Sequence, residues 1–224
     1  GTARLELQYL GSLDAMASMA RGNCELCGFH LPLNLPCGEL LARVHKFLKP
    51  RSHRLIRLVT RTQGLYLAHG NPAQINSLAD LTRPEVRFVN RQIGSSTRYL
   101  VGLMLQRAGV SIGEVQGYET NEFTHMAIAA HIASGMADTG VGVETAACRF
   151  GLDFIPLVRE RYFFAIRKSA LETPAMRDLL SIMRGPDYVG YVGQLVGYDA
   201  RDTGRLQTLE EAFPRERAPR SAGI

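Results

Sequence analysis

Residues 87–104 read Arg-Phe-Val-Asn-Arg-Gln-Ile-Gly-Ser-Ser-Thr-Arg-Tyr-Leu-Val-Gly-Leu-Met, and the way this stretch folds decides how the rest is read. Phe88 and Val89 form the end of a short apolar run, and Gly94-Ser95-Ser96-Thr97 turns the chain. Tyr99, Leu100, Leu103 and Met104 then recur at helical spacing. Strand, small hydroxyl-bearing turn, helix is the order that aims free backbone N–H groups and the positive end of a helix dipole at an anion. The three hydroxyls add donors, and Arg91 and Arg98 flank the turn with positive charge. Ser and Thr are equally the ordinary N-caps of helices that bind nothing. The stretch alone carries either reading, and the rest of the chain has to separate them.

Upstream, residues 4–10 alternate apolar and polar as a strand does, and Gly11-Ser12 follows. Leu13, Met16, Ala17 and Ala20 then make a helical stripe that stops at Gly22, with Asp14 in its first turn. Residues 24–31 return as a strand, so the chain opens β-α-β, the unit of a parallel sheet. Leu40, Leu41, Val44, Phe47 and Leu48 predict one amphipathic helix between Pro36 and Pro50. Residues 55–60 and 65–68 read as two strands parted by Arg61-Thr62-Gln63-Gly64, and a short helix is expected at 77–81.

Downstream, the helix over 96–107 ends before Gly109, residues 110–115 make a loop or short helix, and 117–120 a short extended piece. A further helix opens at 121–125 and stops at Gly135; residues 137–143 are the next strand, and Glu144-Thr145 opens a helix to Phe150. Residues 153–158 and 161–166 predict two more strands, after which helices run from Thr173 to Val196. A polar tail over 205–224, with Arg215, Arg217 and Arg220 near its end, is expected to be disordered and solvated.

The hydrophobic share of 46% and charged share of 21% over 224 residues exclude a disordered chain and fit a globular one. No apolar run approaches the ~20 residues that span a bilayer, and residues 1–20 lack a secretory pattern. The net charge of +5 is spread over residues 43–61 and the tail, not laid out as a nucleic-acid stripe. Cys24, Cys27, His30 and Cys37 have zinc-like spacing, but a strand there would point Cys24 and Cys27 to opposite faces, which favours reduced core thiols. No metal and no cofactor is expected. Reduced thiols without a signal peptide point to the cytoplasm, with the periplasm as the alternative.

Taken in order, Arg87 to Arg98, Gly117-Tyr118, Glu122-Phe-Thr-His125, Ser134-Gly135 with Ala137-Asp138, Gly140-Val-Gly-Val-Glu144, Gly151-Leu-Asp-Phe-Ile-Pro156 and Glu160-Arg-Tyr162 form a set. That set resembles the periplasmic-binding-protein-like substrate domain of bacterial regulators and molybdopterin-related proteins. Its wider relatives are the type II molybdate- and tungstate-binding proteins. Gly11-Ser12-Leu13, Ala20-Arg21-Gly22 and Gly28-Phe-His-Leu31 extend the match, so it covers residues 5–204.

The resemblance implies an α/β, type II periplasmic-binding-protein-like fold: two parallel-sheet lobes with a ligand cleft between them. Lobe one would take residues 1–68 and 163–224, and lobe two 69–162 with the hinge crossings. Such a domain closes about its hinge on a ligand. Members of the family normally begin with one further strand and helix, which this sequence does not show at its start.

The resemblance also implies the site. Ser12 would face Ser95, Ser96 and Thr97 across the cleft, with Thr124 and His125 opening a third helix and Val143 and Glu144 a fourth. Neutral hydroxyls and converging helix N-termini can hold a tetrahedral oxyanion without a full counter-charge. The expected function is non-catalytic binding or sensing of molybdate, tungstate or a similar oxyanion, as part of a transcriptional regulator that would contact DNA only through a domain absent from these residues. An exported solute-binding protein of an ABC transporter is one alternative. A degenerate domain that binds nothing is another, and a homodimer is left open. An esterase-like enzyme using Ser95 or Ser96 with His125 is the remaining one, and it lacks a G-x-S-x-G elbow.

Overall fold

The computed structural model describes residues 6–8, 10–33, 35 and 38–213. Its helices are α1 (Ser12–Ala20), α2 (Gly38–Phe47), α3 (Ser96–Arg107), α4 (His125–Ala133), α5 (Glu144–Arg149), α6 (Pro174–Arg184), α7 (Pro186–Gly193) and α8 (Leu209–Ala212). The strands are β1 (Leu26–Pro32), β2 (His53–Leu67), β3 (Phe88–Arg91), β4 (Asn121–Glu122), β5 (Thr139–Val143), β6 (Asp153–Arg167), β7 (Tyr198–Asp199) and β8 (Leu206–Gln207). They join in the order β1-β6-β2-β5-β3-β4, with β7 and β8 attached along β2.

Two 15-residue strands, β2 and β6, organise the molecule. They pair antiparallel from His53 with Arg167 to Leu67 with Asp153, a run of about 50 Å at the usual strand rise. One end of this ribbon carries β1 against β6 and β7 and β8 against β2. The other end carries β5 against β2, followed by β3 and β4. Each end packs its own core. Met16 and Met19 of α1 meet Phe29, Leu55, Phe163 and Leu209 at the first. Leu65, Phe88, Val101, Leu105 and Val141 meet at the second, while Ile128 and Ile132 of α4 close its opposite face. A fully buried side chain of this size contributes about 1.5–3 kcal/mol, so each end holds together without help from the other.

Several expectations are corrected. Residues 61–64 are not a turn between two strands but the middle of β2, and residues 159–160 likewise lie inside β6. The polar run at 61–64 looked like a breaker because its side chains are polar, yet they are held inside the molecule. Gly64 serves close approach rather than turning: a Cβ there would lie 2.1 Å from the Ile155 carbonyl oxygen. Parallel pairing is found for β3 with β4 and with β5, whereas the described strands of the first end all pair antiparallel. The strand expected over 4–10 falls partly outside the described residues, and residues 6–8 and 10 belong to no strand.

The extended piece expected at 117–120 is a turn, with the strand at Asn121–Glu122 instead. Gly117, at φ +84°, lies so close to β3 that a Cβ would be 2.2 Å from the Phe88 oxygen. The tail expected to be disordered from 205 is structured to 212. Gln207 and Leu206 pair with Leu55 and Ile56, and Leu209 is fully buried. Residues 214–224 lie outside the described residues. Cys24 precedes β1 rather than lying on it, so strand alternation does not bear on it. It packs beside the buried Cys27, whose thiol burial pushes up to about 12; Cys37 lies outside the described residues.

Candidate functional site

Three strands of the second end each run straight into a helix: β3 leads to α3, β4 to α4 and β5 to α5. Because β3, β4 and β5 are parallel, the three helix N-termini lie along one edge of the sheet, outside the carboxyl ends of the strands. The antiparallel β2 brings Gln63 opposite Val143 at that edge, and β6 brings Val158 opposite Gln63. The edge therefore falls at the middle of the long ribbon, where the first end begins. From that side α1 points its own N-terminus across, and the Ser96 hydroxyl donates to Ser12 Oγ at 2.8 Å. The backbones also close up, since a Cβ on Gly11 would lie 3.0 Å from the Gly94 oxygen.

The residues singled out from the sequence divide by what their side chains do. Ser95 caps α3, its Oγ accepting from Arg98 N at 3.1 Å, and Thr124 caps α4, accepting from Ala127 N at 2.9 Å. Each still has an O–H to donate. Ser12 and Ser96 are the first residues inside their helices, and their hydroxyls serve each other instead of the backbone. Thr97 is buried under α3. Val143 is the buried N-cap of α5 and its carbonyl accepts from Tyr66 OH at 2.7 Å. Glu144 lies against Gly197, whose Cβ position would be 2.5 Å from Glu144 Oε2. His125 is buried at the start of α4, and its Nδ1 has no hydrogen-bond partner among the described residues. None of the printed serine contacts reaches His125; Ser95 and Ser96 are engaged as above.

The structure adds a polar group that the sequence did not single out. Arg61 Nε donates to Glu160 Oε1 at 2.5 Å, and His30 Nε2 stands 3.5 Å from Glu160 Oε2, with Glu160 wholly buried. The Arg61 guanidinium sits over the Tyr162 ring at 5.5 Å. Arg61 and Gln63 had been taken for loop residues, and Glu160 and Tyr162 were quoted only as part of a motif. Alternation was the available signal: in a continuous strand, Arg61 and Gln63 fall on one face.

Burial would raise the Glu160 carboxyl, but His30 and Arg61 beside it outweigh that and hold it below its ordinary value. Burial lowers His30, against the pull of Glu160. His125 is pushed well below the usual imidazole value by burial, and then by Arg61, Arg91 and His30, so it is neutral at pH 7.

Arg91 and Arg98, the two cations flanking the serine turn, part company. Arg98 Nη2 pairs with Glu119 at 2.6 Å and its guanidinium lies over the Tyr118 ring at 4.7 Å. Arg91 is half-buried and meets only neutral acceptors, Gln92 Oε1 at 3.1 Å and the Phe123 oxygen at 2.9 Å. Burial and the neighbouring Arg61 both press its charge. With Arg61 balanced by Glu160 and both histidines lowered, Arg91 is the uncompensated charge of the site. Between the two ends the contact is tight: His30, Ser96, Tyr99 and Glu160 help line a cavity of about 10 Å³, one water's worth. Outside it a groove of about 810 Å³ opens between α2 and α3, past Leu40, Ser95, Ser96 and Leu103.

A family model described as a PBP superfamily domain matches residues 1–184. The Bacillus subtilis (strain 168) protein YvgK, itself named as uncharacterized, is 34% identical over 200 residues, covering 89% of this chain. The chain spans 64% of the length of that relative. Among solved structures, a protein of Clostridium perfringens assigned as a phosphate ABC transporter substrate-binding protein, with bound phosphate, superposes with a TM-score of 0.57. It has 12% identity, over 84% of each chain. A histidine kinase sensor domain with similarity to periplasmic binding proteins gives a TM-score of 0.51 at 14% identity, over 82% of this chain and 75% of its own. At these identities the two structures speak to the fold.

Proposed function

The chain belongs to the PBP superfamily, and from that premise we propose that it is a non-catalytic binding domain that closes on a small anion, molybdate, tungstate or a similar tetrahedral oxyanion. The observation that carries this reading is Arg91, a half-buried guanidinium without a carboxylate partner beside the N-termini of α3 and α4. A buried charge costs free energy unless something compensates it, and an anion held by those N-termini would do so. His125, neutral and with an unpartnered Nδ1, and the hydroxyls of Ser12, Ser96 and Thr124 supply further donors without adding charge. The fold neighbour with bound phosphate belongs to the same ligand class.

The two lobes are residues 1–68 with 163–224, and 69–162, and they move about the middle of the β2–β6 ribbon. In this reading the Ser12–Ser96 hydrogen bond is a latch of the closed form, and the ligand enters when it opens. A sensing domain of a cytoplasmic regulator is the setting favoured by the sequence, and an exported transporter component is the other.

The test is a thermal-shift and calorimetry panel of molybdate, tungstate, sulfate and phosphate. A ligand at ~100 times its Kd adds ~2.7 kcal/mol to stability. Arg91→Met is expected to weaken the best ligand by at least tenfold while leaving the fold intact by circular dichroism. If no oxyanion binds the folded protein, or if R91M binds as tightly as the wild type, the reading is wrong.

A further inference from the structure

Alternation along β6 sends Glu160 towards Arg61 and His30, and its neighbours Arg159 and Arg161 to the other face of the ribbon. There, behind the proposed cleft, a cavity of about 400 Å³ is lined by Arg57, Arg159, Arg161 and Arg201 together with Asp199 and Asp202. Four arginines against two aspartates leave the lining with two surplus positive charges, and Arg205 stands at the rim, 3.9 Å from Asp202. The aspartates are fully used. Asp199 takes Arg201 through a fork of 2.6–3.1 Å and Arg159 at 3.7 Å, and Asp202 takes Arg57. Arg57 is further fixed by Gln207 Oε1 at 2.6 Å.

Arg161 is different. It is half-buried and makes no side-chain hydrogen bond or ion pair with a described residue. Burial lowers it, then Arg57, against the pull of Asp202, with Arg159 and Arg205 adding to the repulsion. A chain gains nothing in stability by crowding guanidinium groups around a concave wall. Such a wall focuses positive potential, and planar guanidinium forks match phosphate oxygens in pairs. The volume is within the range of small-ligand sites, and only about a third of the lining is aliphatic, which suits a charged ligand.

We propose that this back face of the ribbon is a second anion site, distinct from the cleft, that takes an anion with two or more linked phosphates. Free pyrophosphate and the phosphate tail of a nucleotide share that chemistry. A single orthophosphate would answer Arg161 alone, whereas linked phosphates reach Arg159, Arg161 and Arg57 at once.

Calorimetric titration of the whole protein with pyrophosphate, ADP and ATP, in separate arms, tests this. The expected result is one pyrophosphate per chain, weakened at least tenfold in Arg161→Met and unchanged in R91M. Nucleotides binding no tighter than pyrophosphate identify a free polyphosphate; nucleotides binding tenfold tighter identify a nucleoside polyphosphate. Should R161M fail to fold, Arg159→Met, at a side chain 51% exposed, carries the same expectation. Absence of binding to the wild type, full affinity in the folded back-face variant, or loss in R91M overturns the proposal.

Discussion

Replacing Glu160 by Gln asks how the middle of the ribbon is held. Glu160 is wholly buried, accepts from Arg61 at 2.5 Å and faces His30 at 3.5 Å, while the Arg61 side chain is only 13% exposed. E160Q keeps the shape but leaves the Arg61 charge buried without its counter-ion. Breaking a buried pair from one side costs about 3–5 kcal/mol. For a chain of this size that lowers Tm by roughly 6–20 °C.

The double variant R61M/E160M removes both charges and is expected to regain most of the loss, because apolar replacement of a buried pair is often neutral or better. It falls short of full recovery by about 1 kcal/mol, since Tyr198 loses its hydrogen bond to Arg61. The pH dependence has a definite sign. The Glu160 carboxyl lies below its ordinary value in the folded protein, so its contribution is present above that value and fades as pH falls through the lower folded one. E160Q should lack that acid limb. Chemical denaturation of the four proteins of the cycle, at neutral and acid pH, is the assay. A loss under 1 kcal/mol in E160Q, or a double variant no more stable than E160Q, would refute the account of the pair as a paired buried charge.

Two other outcomes follow from named contacts. His125 is held neutral while an unfolded imidazole protonates near 6.5, so wild-type stability should fall by up to ~1.4 kcal/mol for each pH unit below that value, and His125→Asn should flatten this slope in urea titrations. Gly64→Ala drives a Cβ to 2.1 Å from the Ile155 oxygen, a backbone clash, and should cost more than the ~1–3 kcal/mol of ordinary overpacking; a urea midpoint within error of the wild type would contradict the close approach.

The strand–turn–helix units were legible because each rests on signals a few residues long. Ser95 and Thr124 do cap α3 and α4, and the glycines at 109 and 135 end them in the left-handed region. The long strands were not legible as single strands. Arg61-Thr62-Gln63-Gly64 has the composition of a turn, and only the burial of its polar side chains against β6 makes it a strand interior. The end of the chain was misread for a related reason: two residues of β8 and a four-residue helix carry almost no periodic signal, and they form because β2 and a core are already there to receive them.

What the sequence by itself determined is the set of helix starts that face one edge: hydroxyl-bearing turns after short strands, at Ser12, Ser96 and Thr124. What only the tertiary structure decided is which of these side chains meet. Ser96 reaches Ser12 across 84 residues, and Arg61 reaches Glu160 across 99. It also decided that Arg98 has a carboxylate while Arg91 has none. Caps, turns and periodicity act within a turn of helix or a pair of strand residues, so they are written locally. The balance of buried charge depends on the register of β2 against β6, set by side chains packed at both ends of the ribbon at once.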